Sequence, residues 1–300
     1  MPYKKFLIAI LIISFSIITS DTTYSLTKKD SKKTIPPKEK SQKYASLIDR
    51  LSNDGFDKAY LLKIFSDPRV TFQKKVLVIN LINHNIKVDY SRFLGNQPVS
   101  HAKRFLNREL SFLNKVEKQF EVDKEVIVSI LLIESFLGKM TGENIVFNVF
   151  STLSLATEPG ILNDTYHKLK ENYPSLSFEH IRKRADRKSR WAYQELKHLL
   201  RIAEREKLDV FSIRGSWAGA FGIAQFLPSS YLRYGLDGNN DQKVRLFNRY
   251  DSMVSVANYL KEHGWKNNLS NKRKRAVIRR YNNSTPYANT VLNLSRKISS

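Results

Sequence analysis

The segment from Lys124 to Leu137 is the feature that most constrains the fold of this chain. Its sequence, KEVIVSILLIESFL, is apolar on nearly every side of a helix. A helix formed here has almost no polar face to turn toward water, so it has to lie inside the protein. Asp123 is suited to cap its beginning and Gly138 to end it. The chain is therefore predicted to fold around a buried helix.

The rest of the folded part has the same helical pattern. Apolar residues recur at helical spacing, and the further ranges predicted as helices are 43–51, 57–65, 100–120, 189–207, 251–263, 272–281 and 287–298. Asp251 and Gly264 are suited to cap and to end the helix at 251–263. There is no series of alternating strands and no internal repeat. The predicted fold class is mainly α.

The N-terminal region has the composition of a secretory signal. Met1–Lys5 is basic, Phe6–Ile18 is apolar, and Thr19–Ser25 is small and polar. The apolar run is short for a membrane span. Residues 1–25 are predicted to be a cleaved signal, with an uncleaved anchor as the alternative. Residues 26–43, rich in Lys with a Pro pair, are predicted to be a flexible tether, and residues 44–300 the folded domain.

Charge and cysteine content narrow the class of protein. The chain has 51 Lys and Arg against 28 Asp and Glu, a formal net charge of +23. Such an excess suits anionic partners, although many of these side chains can simply solvate helix faces. The absence of cysteine excludes disulfides, Cys-ligated zinc and a lipid-modified cysteine. Export, and the lack of any nucleic-acid-binding signature, argue against a nucleic-acid partner.

Glu134 lies one turn from the end of the buried helix. Desolvation and the negative end of the helix dipole both disfavour its charged form, so its pKa is predicted to be raised. A raised pKa suits a general acid that works near neutral pH. The alternative is a structural carboxylate, paired with an Arg or turned to solvent.

The segment from Gly215 to Tyr231, GSWAGAFGIAQFLPSSY, is the second candidate feature. Its small residues let the backbone turn tightly and approach a ligand. Gln225 offers a donor and an acceptor, as sugars and amides require. Trp217, Phe226 and Tyr231 are suited to line a sugar groove, or to pack in the core beside a glycine-rich turn.

Together these motifs resemble the membrane-bound lytic transglycosylase B family. Glu134-Ser135-x-x-Gly138 is followed about eighty residues later by the Gly215–Tyr231 segment. Three further stretches match in the family's order: GFDKAYL at 55–61, VSVANYLKEHGW at 254–265 and YNNSTPYA at 281–288. The similarity covers about residues 47–294.

The resemblance implies a lysozyme-like helical fold and a peptidoglycan lytic transglycosylase without a required cofactor. In that family one Glu, at the position of Glu134, acts first as acid and then as base. The substrate's own C6 hydroxyl attacks C1, which leaves a 1,6-anhydromuramoyl end. An ordinary glycosidase needs a second carboxylate, and the sequence context of Glu134 offers no compelling one.

The resemblance also assigns residues around Glu134 to the glycan. They are Ser216, Gln225, Tyr259, Tyr281, Tyr287 and the basic pair Arg187-Lys188. Tyr281 and Tyr287 have an ordinary alternative as half-buried core tyrosines, and Arg187 as a surface residue.

A polar stretch at 237–244, DGNNDQKV, resembles the opening of a calcium-binding EF-hand loop. Asp237, Asn239 and Asp241 would supply side-chain oxygens, Lys243 a backbone carbonyl, and Asp251 the closing carboxylate. Gln242 replaces the usual glycine and Asn248 the usual Glu. Calcium binding, if it occurs, is predicted to be weak, and a polar turn with Asp251 as a helix cap is the alternative.

Two departures from the family pattern affect the predicted cleft. Phe136-Leu137 replaces a polar–aromatic pair, which makes that wall more apolar. Residues 158–186 look like an insertion, charged and helical.

The alternatives to a lytic transglycosylase are a lysozyme-type hydrolase and a non-catalytic peptidoglycan-binding protein. The expected partner is the peptidoglycan glycan strand, bound by a monomer in the bacterial periplasm or cell envelope.

Overall fold

The protein is described by a computed structural model over residues 42–82 and 88–299. The predicted signal and nearly all of the predicted tether lie outside these residues. The helices are α1 (Ala45–Asn53), α2 (Lys58–Ser66), α3 (Lys74–Ile82), α4 (Asn96–Arg108), α5 (Leu110–Phe120), α6 (Lys124–Ser135), α7 (Val146–Ser154), α8 (Pro159–Asn172), α9 (Phe178–Arg205), α10 (Pro228–Tyr234), α11 (Arg249–Glu262), α12 (Asn271–Tyr281) and α13 (Thr285–Ser299). A 3-10 turn covers Ser91–Leu94. The predicted mainly α fold is confirmed.

Helix α6 lies at the centre of the domain, as its apolar circumference predicts. Every residue from Val126 to Ser135 is buried, and α4, α5, α11 and α13 pack around the helix. Each large aliphatic side chain that is fully buried here, such as Leu131, contributes roughly 1.5–3 kcal/mol. The helix ends two residues earlier than predicted, because Phe136 already adopts the left-handed conformation at φ +52°.

A second group of helices forms around α9, which packs against α7, α10, α3 and α8. This helix is 28 residues long and begins eleven residues before the predicted start at 189. The hydroxyl of Ser177 caps it by accepting the His180 N–H at 3.2 Å. Helix α8 and the first part of α9 account for most of 158–186, so the helical character predicted for that segment is confirmed.

Two short strands join the two groups. β1 (Asn144–Ile145) pairs antiparallel with β2 (Arg214–Gly215), with Asn144 opposite Gly215. Gly215 has no room for a side chain, because an added Cβ would lie 2.2 Å from the Ala220 carbonyl oxygen. This pairing places the glycine-rich segment beside the chain that leaves α6.

Three local predictions were wrong, and in each case the side chain concerned binds residues outside its own helix turn or at its end. The helix predicted at 100–120 is broken at Glu109, whose buried carboxylate binds Arg108 and Arg249. Asp123 makes no capping hydrogen bond to α6 and instead accepts from Trp265 and Lys274.

The third wrong prediction is that Asp251 caps the start of α11. Asn248 is the capping residue, since its side chain accepts the Tyr250 N–H at 2.8 Å. Asp251 is buried inside the first turn and binds the preceding loop. Gly264, at φ +88°, ends this helix region as predicted.

Candidate active site

Glu134 is a buried carboxyl group near the C-terminal end of α6. It is 6% exposed, and its neighbours in the helix are apolar. Burial raises its pKa to about 7, and a hydrogen bond from Tyr287 opposes this rise. The predicted direction of the shift is thus reproduced, with desolvation as its main cause. At neutral pH such a group is present in both the acid and the base form.

Tyrosine side chains surround this carboxyl group. The Tyr287 hydroxyl donates to Glu134 Oε1 at 2.6 Å. The ring of Tyr90 meets the Tyr287 ring edge-on, with centroids 5.6 Å apart. Burial, followed by the charge of Glu134, raises the pKa of Tyr90, Tyr281 and Tyr287. These phenols therefore stay protonated and are available as hydrogen-bond donors.

Tyr90 was missed by the sequence analysis. It is buried, and Ser284 and Asn282 lie close enough to its hydroxyl to oppose the rise in its pKa that burial causes. Its local sequence, Val88-Asp89-Tyr90-Ser91, belongs to no motif that could have indicated it. Only the packing of the 3-10 turn against α13 brings it to Glu134.

The Glu-Ser-x-x-Gly motif fixes the end of α6 to the glycine-rich segment. The Ser135 hydroxyl donates to the Ile223 carbonyl at 2.7 Å and accepts the Gly138 N–H at 3.0 Å. A side chain on Gly138 would come within 3.1 Å of Ile223 Cδ1, and its φ of +92° favours glycine. The motif thus acts as a clamp next to the acid.

The residues after Glu134 make an apolar wall, as the Phe136-Leu137 pair predicts. Both residues are half-buried and adopt left-handed backbone conformations. The Phe136 ring stacks on His101 of α4, with centroids 5.1 Å apart. Left-handed backbone is unfavourable for large side chains, so the surrounding contacts hold this turn in place.

Ser216 shapes the glycine-rich turn. Its buried hydroxyl accepts the Ala218 N–H at 3.3 Å and the Ala220 N–H at 3.2 Å. Gly219 follows at φ +81°, and any side chain there would collide with Phe150. In this conformation the hydroxyl of Ser216 supports the backbone.

The side chain of Gln225 has a buried hydrogen-bond acceptor, Oε1, that is not satisfied by the described residues. Its Nε2 donates to the carbonyls of Thr141 at 3.0 Å and Gly222 at 2.8 Å. Its Oε1 is buried and has no hydrogen-bond partner among the described residues. An unsatisfied buried acceptor is costly, so it suits a ligand N–H or hydroxyl.

Tyr259 and Tyr281 form the wall behind the glycine-rich segment. Their rings meet edge-on at 4.9 Å. The Tyr281 hydroxyl donates to the Ala224 carbonyl, and that of Tyr259 to the Arg280 carbonyl at 2.6 Å. Both hydroxyls are thus bound to backbone, and Tyr281 holds the residue that precedes Gln225.

Of the basic pair, Arg187 is exposed on α9 and Lys188 is buried. Lys188 donates to Asn80 Oδ1 at 3.1 Å, and Asn80 in turn donates to the Trp217 carbonyl. Burial, and then the charge of Arg184, lowers the pKa of Lys188 to about 7. The buried member of the pair, Lys188, is therefore connected through Asn80 to the glycine-rich segment.

The 237–251 loop is held by hydrogen bonds to its own carboxylates. Asp237 accepts from Asn239 and Gln242, Asp241 from Lys243, and Asp251 from Gly238 and Arg245. Gln242 adopts φ +65°, the conformation that the usual glycine provides. The sequence predicts a small EF-hand-like loop or hairpin around 237–248, and the structure has a loop there, since no strand forms between these residues.

The fit of this loop to a cation is incomplete in this conformation. Among the described residues, no three His, Cys, Asp or Glu side chains gather closely enough to hold a metal. Arg245 forms an ion pair with Asp241 at 3.0 Å. Calcium at this loop would have to displace the Arg245 guanidinium from Asp241.

None of the helices within 42–82 and 88–299 is long and apolar enough to cross a membrane.

Comparisons with known proteins agree with this architecture. Residues 39–275 match the family described as "Transglycosylase SLT domain". The membrane-bound lytic murein transglycosylase B of Escherichia coli K12 is 30% identical over 174 residues. That alignment covers 58% of this chain and 40% of the relative, so the chain spans well under half of the relative's length.

Solved structures share the fold. The soluble lytic transglycosylase SltB1 of Pseudomonas aeruginosa superposes with a TM-score of 0.70 at 23% identity, covering 85% of this chain and 97% of that one. SltB3 of the same organism, solved in complex with NAG-anhNAM-pentapeptide, gives 0.69 at 18% identity, covering 87% and 79%. The predicted lysozyme-like helical fold is the fold of these proteins.

Proposed function

This chain belongs to the transglycosylase SLT domain family, and from that premise we propose that it is a peptidoglycan lytic transglycosylase. It would cleave the β-1,4 bond between N-acetylmuramic acid and N-acetylglucosamine and leave a 1,6-anhydromuramoyl end. The observation that carries the proposal is Glu134: a buried carboxyl group with a pKa of about 7, bound by Tyr287 and joined by Ser135 to the glycine-rich segment.

One carboxyl group is enough for this reaction. Glu134 in its acid form gives its proton to the glycosidic oxygen, while the N-acetyl group of the muramic acid assists departure. The resulting carboxylate takes the proton of the C6 hydroxyl as that oxygen attacks C1. Glu134 thereby returns to its acid form, and neither water nor an enzyme nucleophile is consumed.

The surroundings of Glu134 support a reaction with a single carboxyl group. Burial and the Tyr287 hydroxyl account for the shift of its pKa, and no described acidic residue contributes to it. A conventional glycosidase places two carboxyl groups about 5–9.5 Å apart, and a partner at the shorter distance would raise the pKa of Glu134 further. The Tyr287 hydroxyl steadies the carboxylate that forms when Glu134 gives up its proton.

The remaining site residues are proposed to hold the glycan. Gln225 Oε1 is the best-supported contact, because it is a buried acceptor with no partner. Ser216, Tyr259, Tyr281, Tyr287 and Arg187 keep the glycan-binding roles that the family resemblance implies. In this conformation the hydroxyls of Tyr259 and Tyr281 bind backbone, so these two residues support the wall of the site.

Calcium is proposed only as a weak structural ligand of the 237–251 loop, at Asp237, Asn239, Asp241, the Lys243 carbonyl and Asp251. We further propose that the protein is exported to the bacterial periplasm or cell envelope, where its substrate lies, and that it acts as a monomer. Export is supported by the composition of residues 1–25.

Digestion of purified sacculi tests the proposed function. The soluble products are separated and weighed by mass spectrometry, because anhydro products are lighter than hydrolytic products by one water. We expect anhydro products from the parent protein. Products with reducing ends alone would identify a lysozyme-type hydrolase, and binding without turnover a non-catalytic glycan-binding protein.

The matched variant is Glu134→Gln, which keeps the shape of the side chain but cannot exchange the proton. We expect turnover to fall by at least about a hundredfold, in line with the loss of a general acid–base group. Glu125→Gln is the control, since it neutralises a partly exposed carboxylate of the same helix that pairs with Lys124. Equal loss in both variants would remove Glu134 as the acid.

A further inference from the structure

Helix α12 carries an unusual concentration of positive charge. Six of its 11 residues are Lys or Arg and none is acidic. From His263 to Ser300 the chain has nine Lys and Arg and no Asp or Glu. This part of the molecule is therefore far more basic, residue for residue, than the chain as a whole.

Five of these cations share the exposed side of α12, which we call the cationic face: Lys272, Arg273, Arg275, Arg279 and Arg280. The opposite side packs inward through Val277, Ile278 and Tyr281. Within the described residues, the ion pair that α12 makes is between Lys274 and Asp123. Arg279 donates to the Asn283 side chain.

This arrangement is unfavourable for the isolated helix. Lys272, Arg273 and Arg275 lie near the positive end of the helix dipole, where acidic residues are preferred. Arg275 and Arg279 are four residues apart and repel each other. Folding alone gives no reason to place these charges here, whereas an anionic partner does.

The cationic face is the outer side of a helix whose inner side contacts the Glu134 site. On the inner side, the Tyr281 hydroxyl donates to the Ala224 carbonyl beside Gln225. The Arg280 carbonyl accepts the Tyr259 hydroxyl. On the outer side, the face runs from Arg279 back to Lys272 over about 10 Å of helix. A glycan strand held at Glu134 that extends past the outer side of α12 would pass along this face.

We propose that the cationic face binds the carboxylates of the peptide stems that the glycan strand carries near Glu134. This inference rests on the proposed function. The backbone sugars of the strand are uncharged where their carboxyl groups are joined to stems, so the stems supply the negative charge. Guanidinium groups bind carboxylates through paired hydrogen bonds. Exposed ion pairs are individually weak, which explains why several cations line one face.

The test removes three charges from the face in the full chain. The face variant is Lys272→Gln/Arg275→Gln/Arg279→Gln. The control variant is Lys63→Gln/Lys115→Gln/Lys118→Gln, which removes the same charge from exposed positions of α2 and α5. Each is assayed on peptidoglycan with free stem carboxylates (stemmed peptidoglycan) and on the same material after carbodiimide coupling to ammonia has converted those carboxylates to amides.

We expect the face variant to lose roughly tenfold in kcat/KM on stemmed peptidoglycan, mainly through KM, and little on the amidated material. The loss should shrink at high salt, which screens exposed charges. The control variant should match the parent on both substrates. Thermal unfolding should show the face variant at least as stable as the parent, because unfavourable charges near the start of the helix are removed.

Three outcomes separate the alternatives. Equal kcat/KM of the face and control variants on stemmed material overturns the inference. If the face variant loses binding to phosphatidylglycerol vesicles but digests stemmed peptidoglycan as well as the parent does, the inference is overturned in favour of binding to a lipid surface. If the parent makes no anhydro product, the proposed function fails. Salt-sensitive co-sedimentation of Glu134→Gln with stemmed sacculi, reduced by the face substitutions, would then still support the cationic face as a stem-binding surface.

Discussion

Glu134 and Asp251 are both buried carboxyl groups, but their surroundings give them different chemistry. Glu134 lies among apolar residues and tyrosines and has one hydrogen-bond donor, Tyr287. Asp251 accepts two backbone N–H groups, from Gly238 and Arg245, in a loop with further carboxylates. Burial raises the pKa of both, but the N–H groups oppose the rise at Asp251.

The comparison shows that burial alone does not make a catalytic acid. A carboxylate that satisfies several N–H donors serves to hold a loop, because giving up its charge costs those bonds. A carboxyl group with few donors is left able to exchange a proton near pH 7. The two carboxyl groups differ in the number of their hydrogen-bond donors and in the apolar or polar character of their surroundings.

The largest effect expected from this contrast is a change in the free energy of unfolding with pH, caused by the titration of Glu134. The folded pKa is about 7 and the unfolded value about 4.5, so between these values the folded state holds more protons. Stability is therefore lost as pH rises through this window. Glu134→Gln removes the titration and should be more stable than the parent at pH 8 by about 3 kcal/mol, with little difference at pH 4.

Urea unfolding of parent and variant from pH 4 to pH 8 measures this difference directly. Glu125→Gln serves as the reference, because Glu125 pairs with Lys124 and has no comparable burial. If the free energy of unfolding of Glu134→Gln differs from that of the parent by the same amount at every pH, the pKa of Glu134 is not raised in the folded protein.

A smaller effect is expected from Tyr287→Phe. The Tyr287 hydroxyl donates to Glu134 Oε1 and so stabilises its charged form. Without it, the pKa of Glu134 should rise further, and the alkaline limb of kcat/KM against pH should move up by about one unit. Tyr90→Phe removes a hydroxyl from the same cluster that is not bound to Glu134 and should move the limb less. A downward shift in Tyr287→Phe would contradict this assignment of the hydrogen bond.

The smallest effect concerns the loop. With millimolar affinity, 10 mM calcium should stabilise the protein by about 1 kcal/mol and raise Tm by about 2–4 °C. Differential scanning fluorimetry with calcium, and with magnesium as the comparison, measures it. Asp237→Asn should abolish the response. An unchanged Tm in calcium would mean that the 237–251 loop is a hydrogen-bonded turn without a metal. The carboxylates of this loop would then have only a structural role, unlike Glu134.

The burial of the central helix and the raised pKa of Glu134 could be predicted because both depend on the local sequence. The apolar circumference of 124–137 places α6 inside, and the burial of Glu134 within it raises the pKa of that carboxyl group. Other features depend on residues far away in the chain. Glu109, at which the helix predicted over 100–120 divides, is buried and pairs with Arg249, and Asp123 binds Trp265 and Lys274 instead of capping α6. Tyr90 reaches Glu134 only through packing against α13, and no local pattern encodes that contact.

The hydrogen bond between Tyr287 and Glu134 joins residues that are 153 positions apart. A chain being synthesised from its N-terminus completes α6 long before it completes α13. Until α13 docks, Glu134 lacks both its phenolic donor and much of the apolar cover that α13 provides. Forms of the chain with and without a docked α13 therefore carry the same carboxyl group with different acidity. The proposed activity thus depends on a residue that is made 153 positions after Glu134.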